Sequence, residues 1–381
     1  MATKINVRSP FYIKVSNASL ASATMELYIY TGVLTTNKPA TPQYTITKNE
    51  ISGNNYVVFE ISELVRDYLD IEFDGEYDSQ TVWVESDIEL FNSSGTSLGT
   101  SNTDYIAFDG YGYFEDGINP ELSRTYLQSN YKLTRPSDTN LRVPVFTEDT
   151  DSVSFLYKGE VKRVQSISSS TNTNGQIEYI TVSGSDNTDT YKERVLADGG
   201  IFEDNSLLDA FLDRVDIGLV DELYINSDSG TEVVKISQEP CTKYEPYKVT
   251  FVNKFGALQD MWFSLKSTES LNTTGETYKA NVVDFNTLTY ATYKPQVAQY
   301  NKTGKESITL NTNYISADYN AVIKQLMMSE QVWITKLTDT EEVLAVIPKT
   351  QNVTYKTSLN DRLVQYTVEF EYAFDKINTV R

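Results

Sequence analysis

The chain is 381 residues long, 40% hydrophobic and 22% charged, with 53 acidic against 32 basic side chains for a net charge of −21. That length and hydrophobic content suit two or three domains with real cores. With no histidine and one cysteine, Cys241, the chain excludes Ser-His-Asp and Cys-His catalysis, histidine-based zinc sites and an internal disulfide; carboxylates are what remains for chemistry. The lone cysteine fits synthesis in a reducing compartment. The acidity argues against nucleic acid, because a phosphate backbone is gripped by clustered Lys and Arg. The densest basic stretch, Lys158 to Arg163, holds three cations.

Met1 to Pro10 lacks the apolar core of a signal peptide, and no run approaches the roughly 18 apolar residues of a membrane span, so the expectation is a soluble chain without membrane insertion. Residues 11 to 115 then read as strand after strand: Phe11–Val15, Met25–Tyr30, Tyr44–Lys48, Tyr56–Phe59, Val82–Glu85 and Asp87–Phe91. They are short, rich in β-branched and aromatic residues and separated by turn formers such as Thr31-Gly32 and Ser93-Ser-Gly95, which is the pattern of a sandwich. A short helix, Ser62 to Asp70, places Leu64, Val65, Tyr68 and Leu69 on one face, with Ser62 as its cap, and plugs one end.

From Asp109 the pattern weakens into a Gly/Tyr-rich loop, followed by a short helix over Pro120–Gln128. The reading is a first domain over 1–117 and a connector over 118–142. Strands resume at Ser152–Leu156, Glu160–Val164 and Ile177–Val182, with an exposed hairpin tip from Ser166 to Gly175. A helix over Ser206–Val215 and strands Glu222–Ile225 and Glu232–Ile236 complete a middle, β-rich domain over 143–245, with Cys241 as a small turn or core residue. An α+β domain over 246–381 follows. Strands Lys248–Val252 and Asp260–Leu265 bracket the Asn253–Gly256 turn, and further strands run to about Tyr293. Ser316 caps a helix with Tyr319, Val322, Ile323, Leu326 and Met327 in one apolar stripe. Strands Val332–Thr335, Val343–Ile347 and Val353–Lys356 lead to Val364–Phe374, where Val364, Tyr366, Val368, Phe370 and Tyr372 face one way and polar residues the other. The fold class is mainly β: several sandwich-like domains with a few short helices.

Chemistry-bearing constellations are sparse. Asp70–Asp78 has acids at alternate positions with Gly75 sixth, like a calcium loop, but Thr81 stands where the bidentate Glu belongs. The acids from Asp104 to Asp116 and Glu148–Asp151 read as solvated turns, and nothing pairs two carboxylates across a cleft as a glycosidase requires. No catalytic, cofactor-binding or metal-ligating residue, and no cofactor, is assigned. Two recognition elements stand out: a loop carrying Tyr111, Tyr113 and Phe114, whose Tyr/Gly content resembles antibody paratopes, and an assembly strand carrying Tyr366, Phe370 and Tyr372, read as an edge open to a neighbouring subunit.

Three segments resemble structural proteins of tailed-bacteriophage virions, of the tail-tip or baseplate-associated type: Lys243–Phe263, Tyr319–Ile334 and Tyr355–Phe374. They make up about 15% of the chain. The resemblance implies a non-enzymatic structural subunit of a virion tail or baseplate, made in the bacterial host cytoplasm. It would assemble with other virion proteins in a homo-oligomeric ring or a hetero-oligomeric tail. The alternative from another class is a receptor- or glycan-binding adhesin using the Tyr111/Tyr113 loop on a host surface glycan or protein; a carboxylate-dependent glycosidase ranks third.

Overall fold

Strands and turns follow the alternation of apolar and polar residues. The computed structural model describes residues 3–377 apart from 33, 35, 52, 79–80, 122–123, 137–138, 168–175, 184–219, 240–242, 337–341, 351 and 353–362. The chain is mainly β, with two α-helices among the described residues. The helix expected over Ser206–Val215, the hairpin tip beyond Ile167, Cys241 and the strand Val353–Lys356 lie outside those residues.

The first unit is a sandwich. Strands β1 (Thr3–Asn6), β3 (Ser22–Tyr30), β4 (Tyr44–Asn49), β6 (Val82–Phe91) and β7 (Ser97–Phe108) form one sheet in the order β1-β7-β6-β3-β4. The second layer is an antiparallel pair, β2 (Tyr12–Ser16) and β5 (Tyr56–Glu60). Alternate residues from both layers, Ile13, Val15, Val57 and Phe59 against Met25, Leu27, Val84 and Tyr105, are buried in one core. Helix α1 (Ser62–Arg66) sends Val65 into the same core, as a plug would. The two strands expected at Val82–Glu85 and Asp87–Phe91 are one, because Ser86 pairs with Leu27 and Thr103 without interruption.

In the middle unit, β8 (Lys132–Pro136), β10 (Ser152–Tyr157), β11 (Glu160–Ser166), β13 (Glu222–Ser227) and β14 (Gly230–Glu239) form a sheet in the order β11-β10-β13-β14-β8. It packs with the pair β9 (Leu141–Phe146) and β12 (Ile177–Val182) around Val143, Phe155, Ile180 and Val234. The connector expected over 118–142 is therefore no free linker: β8 is the edge of this sheet. The described residues of Pro120–Gln128 are not helical either. Wholly buried Tyr126 bridges to Val145, and its N–H donates to the Glu232 carboxylate (2.9 Å), so these tertiary bonds displace the helix.

The third unit is a seven-stranded sheet, β16-β15-β22-β23-β25-β20-β17. Its members are β15 (Tyr247–Val252), β16 (Leu258–Phe263), β17 (Thr268–Lys279), β20 (Val297–Asn311), β22 (Val332–Lys336), β23 (Glu342–Pro348) and β25 (Thr367–Tyr372). Two-residue pairs add β18 (Val283–Asp284) with β19 (Thr289–Tyr290), and β21 (Ile315–Ser316) with β24 (Leu363–Val364). Helix α2 (Tyr319–Met328) lies on the sheet with the expected stripe: Tyr319, Val322, Ile323 and Leu326 are buried against Phe251, Phe263 and Phe370. Ser316 is not its cap: the N-cap is Asp318, without a side-chain cap bond, and the Oγ of Ser316, two residues earlier, accepts from the Asp318 N–H (3.4 Å).

The units share cores rather than meeting through linkers. Phe108 of the first, Leu127, Phe146 and Ile177 of the middle and Ala257 of the third are buried in one cluster, with the Phe108 and Phe146 rings edge-to-face at 5.7 Å. A second cluster joins Ile71 and Phe73 to Val252 and Leu258. The Asp70–Asp78 stretch that looked like a calcium loop is thus anchored by its apolar residues. Tyr77 Oη donates to both carboxylate oxygens of Asp260 (2.6 and 2.7 Å), tying first unit to third.

Candidate functional site: a joint loop and a projecting arm

The loop at 109–117 is built by close backbone approach. Gly256 sits at φ +75°, and a Cβ there would lie 2.8 Å from the Asp109 nitrogen and 3.0 Å from that of Gly110. Only glycine lets the Asn253–Gly256 turn come this near. The Tyr111 N–H donates to the Lys254 carbonyl (2.9 Å), and Asp116 pairs with Lys254 Nζ (2.6 Å). Tyr111 is buried under the Arg8 guanidinium (4.9 Å), and the Tyr113 ring carries Lys254 Nζ at 4.1 Å and Lys324 Nζ at 3.7 Å. The rings expected to receive a ligand are already used inside the protein, which corrects the recognition-loop expectation for Tyr111 and Tyr113. Phe114, in a single 3-10 turn over Phe114–Asp116, does project fully into solvent.

Behind the loop, Arg8, Arg66 and Asp109 of the first unit meet Met328 and Glu330 of the third. Arg8 bonds the Met328 carbonyl (3.0 Å) and pairs with Glu330 (3.3 Å); Arg66 also pairs with Glu330 and lies 3.9 Å from Asp109. Burial pushes the Asp109 carboxyl up to about 6 against the pull of Arg8 and Arg66, with Glu330 adding to the rise. A cleft of about 500 Å³ opens beside this joint, lined by Asn6, Tyr113, Arg124, Lys254, Ser129 and Gln325. Its one hydroxyl nucleophile, Ser129 Oγ, accepts from the Gln325 amide rather than facing a base. No group of three or more Cys, Asp or Glu converges to hold a metal among the described residues, and no helix there is long and apolar enough to cross a membrane.

The expected assembly strand occupies a different place. β25 lies between β23 and β20, bonded on both sides (Val346 with Tyr372, Ser307 with Glu371), so it has no open edge. The residues expected to face one way do so, but inward: Tyr366 and Phe370 are buried, and half-buried Tyr372 has its phenol pushed up to about 12 by burial and the nearby Glu269 carboxylate. They form core, not an interface.

The exposed element is the edge beside it. β17 and β20 pair from Thr268–Thr309 out to Lys279–Val297, whereas β25 covers only Ser307–Asn311 of β20. Beyond Glu306 the two strands leave the sheet as a ribbon about 30 Å long, at about 3.4 Å per residue. All twelve residues of β17 are exposed, on both faces. In and around the tip pair β18–β19 stand Phe285 (72% exposed), Leu288 (80%), Tyr290 (70%) and Tyr293 (82%). The sequence carries one signal for it, which the strand reading missed: Thr and Asn interleave with Tyr, Val and Phe across 268–311 without one apolar face.

No family model matches the chain, and no curated protein does either. Among solved structures it is similar to a chain in the sixfold-symmetrised cryo-EM structure of the anti-feeding prophage baseplate. That likeness has 14% identity and a TM-score of 0.21 over 37% of this chain and 96% of the other, and at that score it carries no argument about this chain.

Proposed function

We propose that the chain is a non-enzymatic structural subunit of a phage-tail-type particle, a tail or baseplate component that assembles through protein–protein contacts. The observation that carries this reading is the arm. A lone two-stranded ribbon is marginal in water, and here one strand exposes every residue while the tip exposes large apolar side chains. Such a surface gains stability only when another protein covers it. The absence of histidine and the resemblance of Lys243–Phe263, Tyr319–Ile334 and Tyr355–Phe374 to tailed-phage structural proteins support the same reading.

The test replaces residues 275–302 with an Asn-Gly turn, closing the hairpin between Thr274 and Thr303, which face each other across the ribbon. The shortened protein should keep the circular dichroism and unfolding midpoint of the full chain yet fail to enter particles, while antibody against the intact chain labels the tail end of negatively stained virions. Normal incorporation without the arm would overturn the arm's role as the assembly surface, and absence of the full chain from particles, or label on the capsid, would overturn the proposal itself.

A further inference from the structure

We infer that the arm tip docks onto a second copy of this chain, on an acid-rimmed apolar patch formed by Tyr12, Phe114 and Ile118. This rests on the assembly reading above and names its partner. Asn119 ties the segment that carries Phe114 and Ile118 to Tyr12. It clamps Tyr12 at both ends, accepting from its N–H and donating to its carbonyl (2.8 Å each), which brings the neighbouring Ile118 to Tyr12, with Phe114 four residues back in the 3-10 turn that precedes it. Phe114 is 100% exposed and Ile118 80%. Exposed Glu115 and Glu121 flank them, and Glu60 faces Tyr12 across β2 and β5.

Charge decides the occupant. Across the ribbon, residues 275–302 hold Lys279, Lys294 and Lys302 against Glu276 and Asp284, a net +1, so the remaining residues carry −22 of the total of −21. Among the described residues none of these lysines has an ion pair. Copies of so acidic a body repel one another on the whole, and the arm, with its positive balance, is where that repulsion is least. The tip offers Phe285, Leu288, Tyr290 and Tyr293 with lysines around them; the patch offers the complementary apolar floor with carboxylates around it. Tip and patch are different surfaces, so the contact is head-to-tail and generates a closed ring or an open chain of subunits.

The experiment is native mass spectrometry of the full chain at increasing concentration, with a tip variant (Phe285→Ser with Leu288→Ser) and a patch variant (Phe114→Ser with Ile118→Ser). Wild type should form oligomers that weaken as salt is raised. Each variant alone should lose every species above monomer. An equimolar mixture should give dimers that stop at two, because one intact tip and one intact patch remain. All four side chains replaced are solvent-facing, and circular dichroism identical to wild type confirms the variants are folded. Oligomers that survive the patch variant, or a wild type that stays monomeric while the tip variant is excluded from particles, would overturn the self-docking and leave the structural-subunit reading standing. A tip variant that enters particles normally would sink the tip docking, and a full chain absent from particles would sink the structural-subunit reading.

Discussion

Replacing Gly256 with alanine should damage the joint between units far more than its size suggests, and the structure supplies a matched control. Gly256 has φ +75° and Gly95, in the exposed β6–β7 turn, has φ +78°. A left-handed conformation costs an alanine about 1–2 kcal/mol at either site. Around Gly95 an added Cβ meets nothing within 4 Å; at Gly256 it meets two backbone nitrogens and the Phe108 Cβ, all at or under 3.0 Å. Backbone cannot rotate aside, so the turn must move. Moving it loosens the Tyr111 N–H to Lys254 carbonyl bond (2.9 Å) and the Asn253 amide to Leu127 carbonyl bond (2.7 Å). At about 1 kcal/mol for each, Gly256→Ala should cost about 3–4 kcal/mol and Gly95→Ala only about 1–2. Urea unfolding followed by tryptophan emission reads both, since Trp83 and Trp262 are buried on either side of the joint. Equal losses at the two sites would refute the claim that close approach, rather than φ alone, demands glycine here.

Three further outcomes follow from the same geometry. Asp109 binds its proton more tightly folded, near 6, than unfolded, near 3.8. The stability this gives is therefore full below about pH 4 and lost as pH rises to about 6, at most about 3 kcal/mol. In Asp109→Asn the fall in urea midpoint between those pH values should flatten, and an unchanged slope would show the carboxyl is not the titrating group. Tyr77→Phe removes both bonds to the Asp260 carboxylate and should cost about 1.5–3 kcal/mol in the same assay; a loss under half that would mean water replaces the phenol. Tyr293→Ser at the arm tip should leave the unfolding midpoint within about 0.5 kcal/mol of wild type, as an exposed site does; a larger loss would place the ring against the body.

What was legible in the sequence is what depends on neighbours along the chain. The stripe of α2 is set by 3.6-residue spacing, and the alternation in β25 by period two, so both faces emerge from local pattern. The cores follow, because a side that is apolar for several turns or pleats has to be covered. The α1 plug was readable for the same reason, since Val65 lies on the face that the spacing selects. Where local pattern and tertiary bonding competed, as at Pro120–Gln128, the buried Tyr126 and its bond to Glu232 won, and nothing within the segment announces that partner.

The position of a strand within its sheet is a different kind of fact. β25 reads as an edge because its polar face is as clean as a solvent-exposed one, yet it pairs with β20 some 60 residues earlier and with β23 on its other side. Alternation gives the faces of a strand and says nothing of its edges. The true open surface was hidden for the complementary reason. In the arm no face is core, so the strands expected up to about Tyr293 carry no apolar side to place them, and nothing local marks that Thr268–Lys279 pairs along nearly its whole length with both faces exposed. A segment rich in β-branched and aromatic residues, lacking an apolar face and close to charge neutrality inside a strongly acidic chain, is therefore the sequence signature of a ribbon that leaves its sheet. Residues 268–311, with four acids and four bases in a chain of net charge −21, meet that description.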